Sequence, residues 1–456
     1  MSLHKIGVKK EMLQLMYNLN KRAVVTVKTP FGNTSTFDTD PIVKQGTVLG
    51  PVLCSSSTGE YCSYNVGVVI GTLVLASLLY VDDIIDLSGS KEECEESHRN
   101  AILFSRLKKL KYALTKCYNM IINNTEECEP PYLPLDSVHQ VIETLEMVYL
   151  GDVFNSKGNN EGLISDRLKR GMKAMITITA LMAENEVGIH RVSVMLLLYR
   201  SLFLSTMLFN SQTWSKLRKK DITSLRTLQL KFLKRIVGAS TSTANAFVFL
   251  ELGVLPIEFE IEIRQVMYLH RILNLDGNDP VYQLFQNQLR LSEAGEENWW
   301  SGVKDLLAKY SITLTFEEIK AMSKQKFRWT VKEIIGQYAF EQLKQDCASR
   351  KKTAKIKYES FGLQPYLTQL YPNRSKTVFK LRCETLDIKS HQPYKYSDLV
   401  CRKCGIEDET VEHILHCCSD EVKMVDVKEM GQLEACTKAE VLAMVCRINE
   451  FINEHT

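Results

Sequence analysis

From about residue 162 to residue 274 the chain is almost continuously helical in pattern, which commits this stretch to helix-on-helix packing. The residues before it read differently. A helix with apolar positions at Met12, Leu13, Leu15 and Met16 precedes strand-like residues 24 to 27 and a turn at Pro30-Phe31-Gly32-Asn33. Val66, Val68, Val69 and Ile70 lead into a turn at Gly71-Thr72, and Leu73, Val74 and Leu75 lead out of it. The apolar run of about 16 residues that contains them is short for a membrane span and reads as a strand pair. A helix over about residues 91 to 112 and a strand-rich piece over 148 to 154 complete this mixed part. Residues 275 to 300 are polar and Gly-containing, end in Trp299-Trp300, and are expected to be a linker. A second helical stretch follows to about residue 355, then a cysteine-bearing module over 375 to 425 and a helical tail over 426 to 456. The fold class is α+β.

Charge is unevenly spread. The net charge is +3, yet residues 161 to 240 carry 14 Lys or Arg against 5 acids, and residues 320 to 360 carry 11 against 4. These windows sum to +16 and leave about −13 on the remainder. Clustered cations in an otherwise acidic chain are the footprint of a phosphate-tracking surface, although solvated helix faces give the same counts. The 13 cysteines are an odd number and mostly lack mutual spacing, which argues against a disulfide framework and for a reducing compartment. The opening Met1-Ser2-Leu3-His4-Lys5 has no apolar region of a secretory leader.

Two constellations carry chemistry. Tyr80-Val81-Asp82-Asp83 stands between apolar β-type segments, so both acids fall at the tip of a tight hairpin. Adjacent carboxylates repel unless neutralised, and a pair of Mg²⁺ ions would do so while clamping the oxygens of nucleotidyl transfer. An Asp-Asp turn without metal is the plainer reading of those residues alone. The second constellation is Cys401-Arg402-Lys403-Cys404, followed by His413, His416, Cys417 and Cys418. Cys-x2-Cys sets two thiolates on a knuckle, and His413 with Cys417 or Cys418 lies about one helical turn apart, so four donors can close around structural Zn²⁺. His416 is a weaker alternative. Cys383, Cys436 and Cys446 have no matching spacing and read as small hydrophobes.

The order of motifs around the Asp-Asp turn resembles the reverse transcriptase of LINE-type (non-LTR) retrotransposons. Pro41-Ile42-Val43-Lys44-Gln45-Gly46-Thr47-Val48-Leu49-Gly50-Pro51 is similar to the family motif in which Gln45 and Gly46 would approach template and incoming nucleotide. Leu114-Thr115-Lys116-Cys117-Tyr118 is similar to the motif whose lysine, here Lys116, protonates the leaving pyrophosphate. Tyr149-Leu150-Gly151-Asp152 resembles the turn that grips the primer end, with Gly151 in the substrate-binding role beside Tyr80. Leu198-Tyr199-Arg200-Ser201-Leu202, Asn210-Ser211-Gln212-Thr213-Trp214 and Glu251-Leu252-Gly253-Val254-Leu255-Pro256 look like landmarks of the family's helical thumb.

The resemblance implies a partial palm over 1 to 160, an antiparallel sheet with helices. It further implies an all-α thumb over 161 to 274, a linker and helical extension over 275 to 374, and a zinc module with Cys418 as fourth ligand. Asp82 and Asp83 would be the catalytic Mg²⁺ ligands. Arg167, Lys169, Arg170, Lys173, Lys231, Lys234 and Arg235 would face an RNA template and DNA primer through phosphates, over a core stripe of Met195, Leu196, Leu198 and Leu202. In the family, a further metal-bridging aspartate stands before the segment that begins here with Lys5-Ile6-Gly7-Val8. Asp38 and Asp40 are out of order for that role, so the chain alone is expected to lack polymerase activity. A nucleic-acid-binding protein without catalysis and an inert pseudogene product are the competing readings; no membrane partner is expected.

Overall fold

The computed structural model describes residues 2–5, 7–20, 23–39, 50–122, 130–184, 187–416 and 438–455. They form an α+β protein of two compact units. The first comprises 1–147, 155–158 and 277–287, and the second 148–154, 159–276 and 288–456.

In the first unit the alternating apolar segments pair as short ribbons. Val68–Ile70 and Leu73–Leu75 are antiparallel around Gly71, whose positive φ of 62° closes the two-residue turn. Ser77–Tyr80 and Asp83–Asp86 pair next, with Tyr80 opposite Asp83. Ala23–Val25 pairs with Phe37–Thr39, and Lys28–Thr29 with Gly32–Asn33, while Tyr118–Asn119 and Ile142–Glu143 run parallel. Among the described residues these remain two-stranded and are not joined into the single antiparallel sheet expected of this region. A two-stranded ribbon leaves one face uncovered, and Val69, Val74, Leu78 and Tyr80 are accordingly exposed. The helix Lys91–Lys108 starts at Ser90, whose hydroxyl accepts the Glu93 N–H at 3.2 Å, and stops at Lys109 in the left-handed region. It packs Ala101 and Phe104 on Tyr61, with Leu79, Ile84 and Tyr112 around them.

The second unit is helical. Glu161–Glu184, Arg191–Leu198, Lys219–Val237, Asn245–Leu252 and Ile257–Leu273 account for the helical pattern up to residue 274. The expected core stripe holds for Met195 and Leu196, while Leu202 is 48% exposed. The reason is a π-helical stretch, Tyr199–Leu204, whose wider turn shifts the phase so that Tyr199, Phe203 and Leu204 point inward instead. Tyr199, Phe203 and Phe232 form an aromatic cluster with centroids 5.0 to 5.8 Å apart.

Domain boundaries drawn from composition do not match the packing. Residues 275–300 are largely helical, through Pro280–Glu293 and the start of Trp299–Lys309, where a linker was expected. One core runs from Leu163 through Phe232, Phe249, Phe340, Tyr366 and Phe379 to Val445, so no core boundary falls at 274 or 374. Its polar centre is Glu251, fully buried on a helix whose every residue from Ala246 to Leu252 is buried. Glu251 accepts from Tyr358 Oη at 2.6 Å, Tyr366 Oη at 2.5 Å and both Nε and Nη2 of Arg382 at 3.1 and 3.0 Å. Next to it Gly253 has φ +57°, and a Cβ there would stand 2.4 Å from the Gly362 carbonyl carbon. Only glycine fits. The Glu-Leu-Gly landmark is therefore architectural.

Candidate functional site

The paired carboxylates stand where their sequence setting put them. Strands Ser77–Tyr80 and Asp83–Asp86 are joined by Val81-Asp82, and Val81 adopts φ 59°. A β-branched residue in the left-handed region is an outlier, held there by the flanking ladder. The turn leaves Asp82, Asp83 and Tyr80 exposed, the last at 60%. Lys116 is exposed on the 3₁₀ turn Leu114–Lys116 that leads into Tyr118–Asn119. Gln45 and Gly46 lie outside the described residues. At the far end of the same hairpin, Asp86 is a carboxylate that sequence reasoning passed over. It accepts from Tyr61 Oη at 2.5 Å, Ser77 Oγ at 2.6 Å and Asn65 Nδ2 at 3.1 Å. Burial raises its pKa, and the three donors oppose that rise. This Asp is committed to holding the ribbon. Among the described residues no third acid, His or Cys joins Asp82 and Asp83 to make a metal-sized cluster, so the donors for a two-metal site are incomplete in them.

The Tyr-Leu-Gly-Asp turn has both Leu150 (φ 47°) and Gly151 (φ 85°) in the left-handed region, as a two-residue hairpin loop requires. Its Asp152 is buried and faces inward. It accepts from Asn210 Nδ2 at 2.5 Å and pairs with Arg167, which also donates to the Gly151 carbonyl at 2.9 Å. Arg167 is 1% exposed and stacks over Phe209 at 5.1 Å. It is an internal brace, not the duplex contact expected of it. Lys234 is also spent locally, donating to the carbonyls of Thr241 and Thr243 at 2.8 Å each. Lys169, Arg170, Lys173, Lys231 and Arg235 are exposed as expected, with Arg170 paired to Asp166.

The cysteine–histidine constellation comes together. Ligand atoms of Cys401, Cys404 and His413 all lie within 4.8 Å of one another. The knuckle forms because Gly405 takes φ 68°, its N–H returns to the Cys401 carbonyl at 2.9 Å, and the Cys401 N–H bonds the Glu407 carbonyl at 2.7 Å. Backbone N–H groups of Glu407 and Ile406 hold the Cys404 thiol down to about 6, with help from His413, so it is a thiolate near neutrality. His413 sits on the helix Val411–His416 with Nε2 3.2 Å from Cys404 Sγ. Its Nδ1 lies 3.0 Å from Glu407 Oε2, an acceptor that sets the Nδ1–H tautomer and turns the Nε2 lone pair toward the thiols, as a metal ligand requires. Sequence reasoning missed Glu407; its signal was an acid in the loop between knuckle and histidine. This donor set can hold a metal ion and is compatible with zinc. Cys418, its rival Cys417 and the side chain of His416 lie outside the described residues.

Arg402, between the two thiols, ties the knuckle down. It chelates fully buried Glu409 through Nε at 2.9 Å and Nη2 at 2.7 Å, and donates to the carbonyls of Asp387 at 2.9 Å and His455 at 3.1 Å. Cys401, Val411, Ile414 and Leu415 pack with Met444, Ile448 and Phe451 of the helix Lys438–His455. The expected boundary between module and tail is thus no boundary in packing.

No helix among the described residues is long and apolar enough to cross a membrane. No protein-family model matches the chain, and no curated protein does.

Proposed function

We propose that this chain derives from a LINE-type reverse transcriptase, and that by itself it binds nucleic acid of the template-primer kind without extending a primer. In this reading the hairpin around Asp82 and Asp83 is the metal-binding turn of a polymerase palm. Residues 161–274 are thumb, and Cys401, Cys404, His413 and Cys418 hold a structural Zn²⁺. The observation that carries it is the strained turn at Val81, which holds two adjacent carboxylates out at a hairpin tip. A two-residue hairpin loop needs a positive φ at its first position and ordinarily meets it with Gly, Asn or Asp; here a valine takes that conformation beside the two carboxylates. The exposed cations Lys169, Lys173, Lys231 and Arg235 support a duplex-facing surface, since phosphate contacts need charge and no base readout. The absence of activity is supported by the incomplete donor set around Asp82 and Asp83 among the described residues. Zinc at the knuckle would order the packing between the short histidine-bearing helix and the C-terminal helix; it takes no part in a reaction.

Primer extension on an RNA template with Mg²⁺ tests the catalytic part: no incorporation is expected, and incorporation that Asp82→Ala abolishes overturns it. Retention of an RNA–DNA hybrid tests the binding part. Affinity should fall steeply with salt, and a salt-independent affinity overturns it.

A further inference from the structure

The helix Lys324–Ala348 buries Phe327, Val331, Ile335 and Ala339 along one side, with His270 stacked on Phe327 at 5.1 Å. The opposite side carries a tryptophan in water. Trp329 is 66% exposed and makes no hydrogen bond or ring contact with any described residue. The other tryptophans contrast with it: Trp214 and Trp300 are buried, and Trp299 is half-buried with its indole N–H on the Gln212 carbonyl. A single exposed apolar side chain needs no ligand by itself; what sets this indole apart is the set of exposed cations around it on the same helix.

Helical spacing names its neighbours. Lys326 stands at i−3 and Lys332 at i+3, Gln325 at i−4 and Glu333 at i+4. Lys324, Lys326, Arg328 and Lys332 are all exposed, and none has an acidic partner among the described residues. Glu333 is the single acid at the indole. At i+7 stands Gly336, and a Cβ there would meet nothing within 4 Å, so the indole's C-terminal flank is open. An apolar protein contact would surround such a residue with further apolar side chains, and here every neighbour at i±3 and i±4 is polar. A surface for duplex phosphates needs the lysines and has no use for the ring. Aromatic face and unpaired cations together are what a single strand requires: a base to stack and phosphates on either side of it.

We propose that the face of helix Lys324–Ala348 around Trp329 binds single-stranded nucleic acid, with an unpaired base stacked on the indole and flanking phosphates held by Lys326 and Lys332. The site rests on the reading of this chain as a nucleic-acid binder and adds to it a strand-selective contact outside the duplex-facing helices.

The test is titration of the purified full chain with fluorescein-labelled oligothymidylate, followed by anisotropy and by quenching of intrinsic tryptophan fluorescence. Trp329→Ala should weaken binding about tenfold and remove most of the quenching while leaving the salt dependence unchanged. Trp329→Phe should keep most of the affinity. The Lys326→Ala/Lys332→Ala pair should lower the slope of log affinity against log salt by about 1.4, at ~0.7 per phosphate on a single strand. An affinity of Trp329→Ala within twofold of the parent overturns the proposal, as does a Trp329-dependent preference for duplex. If duplex binding is normal while the variant and parent hold the single strand alike, this site is wrong and the proposed function stands. A chain that binds neither overturns both.

Discussion

Single residues in this protein act mostly through burial, and their roles diverge from what their charge suggests. Glu251 looks like one acid of a helix, yet it is the fully buried anchor for Tyr358, Tyr366 and Arg382, whose positions lie more than a hundred residues downstream. Glu251→Ala leaves the Arg382 guanidinium buried without its anion, and stability should fall by about 3 to 5 kcal/mol, read as the urea midpoint. A loss under about 1 kcal/mol would show the cluster to be wet. His391 gives a pH-dependent counterpart. Burial, then Lys352 and Lys355, hold its imidazole down to about 4, so the fold keeps it neutral. The unfolded chain takes up that proton below about pH 6.5. Its contribution is therefore complete above pH 6.5 and is lost as pH falls toward 4, on the order of 3 kcal/mol across that window. In His391→Leu, stability should vary less between pH 7 and pH 4.5 than in the parent; equal pH dependence in both proteins counts against this assignment. Residue types were legible and burial was not. Arg167 fell inside a basic window and was expected at a phosphate, but a local count cannot see that Asp152 and Phe209 enclose it.

Elements were read well where periodicity was regular and missed where it broke. The ribbon turning at Gly71-Thr72 and the carboxylate hairpin both came out as expected, because alternation with a two-residue turn admits little else. Leu202 was misplaced because a 3.6-residue period cannot anticipate the π-helical stretch Tyr199–Leu204. The cysteine knuckle belongs between these cases. Spacing picked out Cys401, Cys404 and His413 as a group that could hold a metal ion, while Glu407 behind His413 became visible only in three dimensions. Its carboxylate orients the imidazole without being a ligand, so Glu407→Ala should weaken metal binding about 10- to 100-fold in a chelator competition while the metal stoichiometry at saturation stays the same. Unchanged affinity would make Glu407 a bystander. Cys401→Ser removes a donor and should go further. Because Cys401, Ile414 and Leu415 share a small core with Met444, Ile448 and Phe451, loss of metal should also raise amide exchange in the C-terminal helix Lys438–His455.

For the molecule as a whole, the legible quantity was the α+β class, and the illegible one was where units end. Polar composition at residues 275 to 300 suggested a linker, but Phe285 is buried and the segment folds as the helix Pro280–Glu293. Composition reports what water touches, whereas a domain is defined by which apolar faces share a core. The core of the second unit takes Leu163, Phe203, Phe232 and Phe249 from before residue 274, and Phe340, Tyr366, Phe379 and Val445 from after it. Glu251, from the earlier part, has all three of its charge and hydroxyl partners in the later part. A chain ended at residue 274 would therefore expose the inner faces of Lys219–Val237 and Asn245–Leu252 and strand a carboxylate that the fold buries completely. Such a fragment should not fold: it should lack near-ultraviolet circular dichroism, bind a hydrophobic dye and aggregate at micromolar concentration. Residues 148–456 together should instead unfold in one cooperative transition, with tryptophan fluorescence and far-ultraviolet circular dichroism giving the same midpoint. A soluble 161–274 fragment with a sharp melting transition would contradict the shared core and make residues 161–274 a domain in their own right.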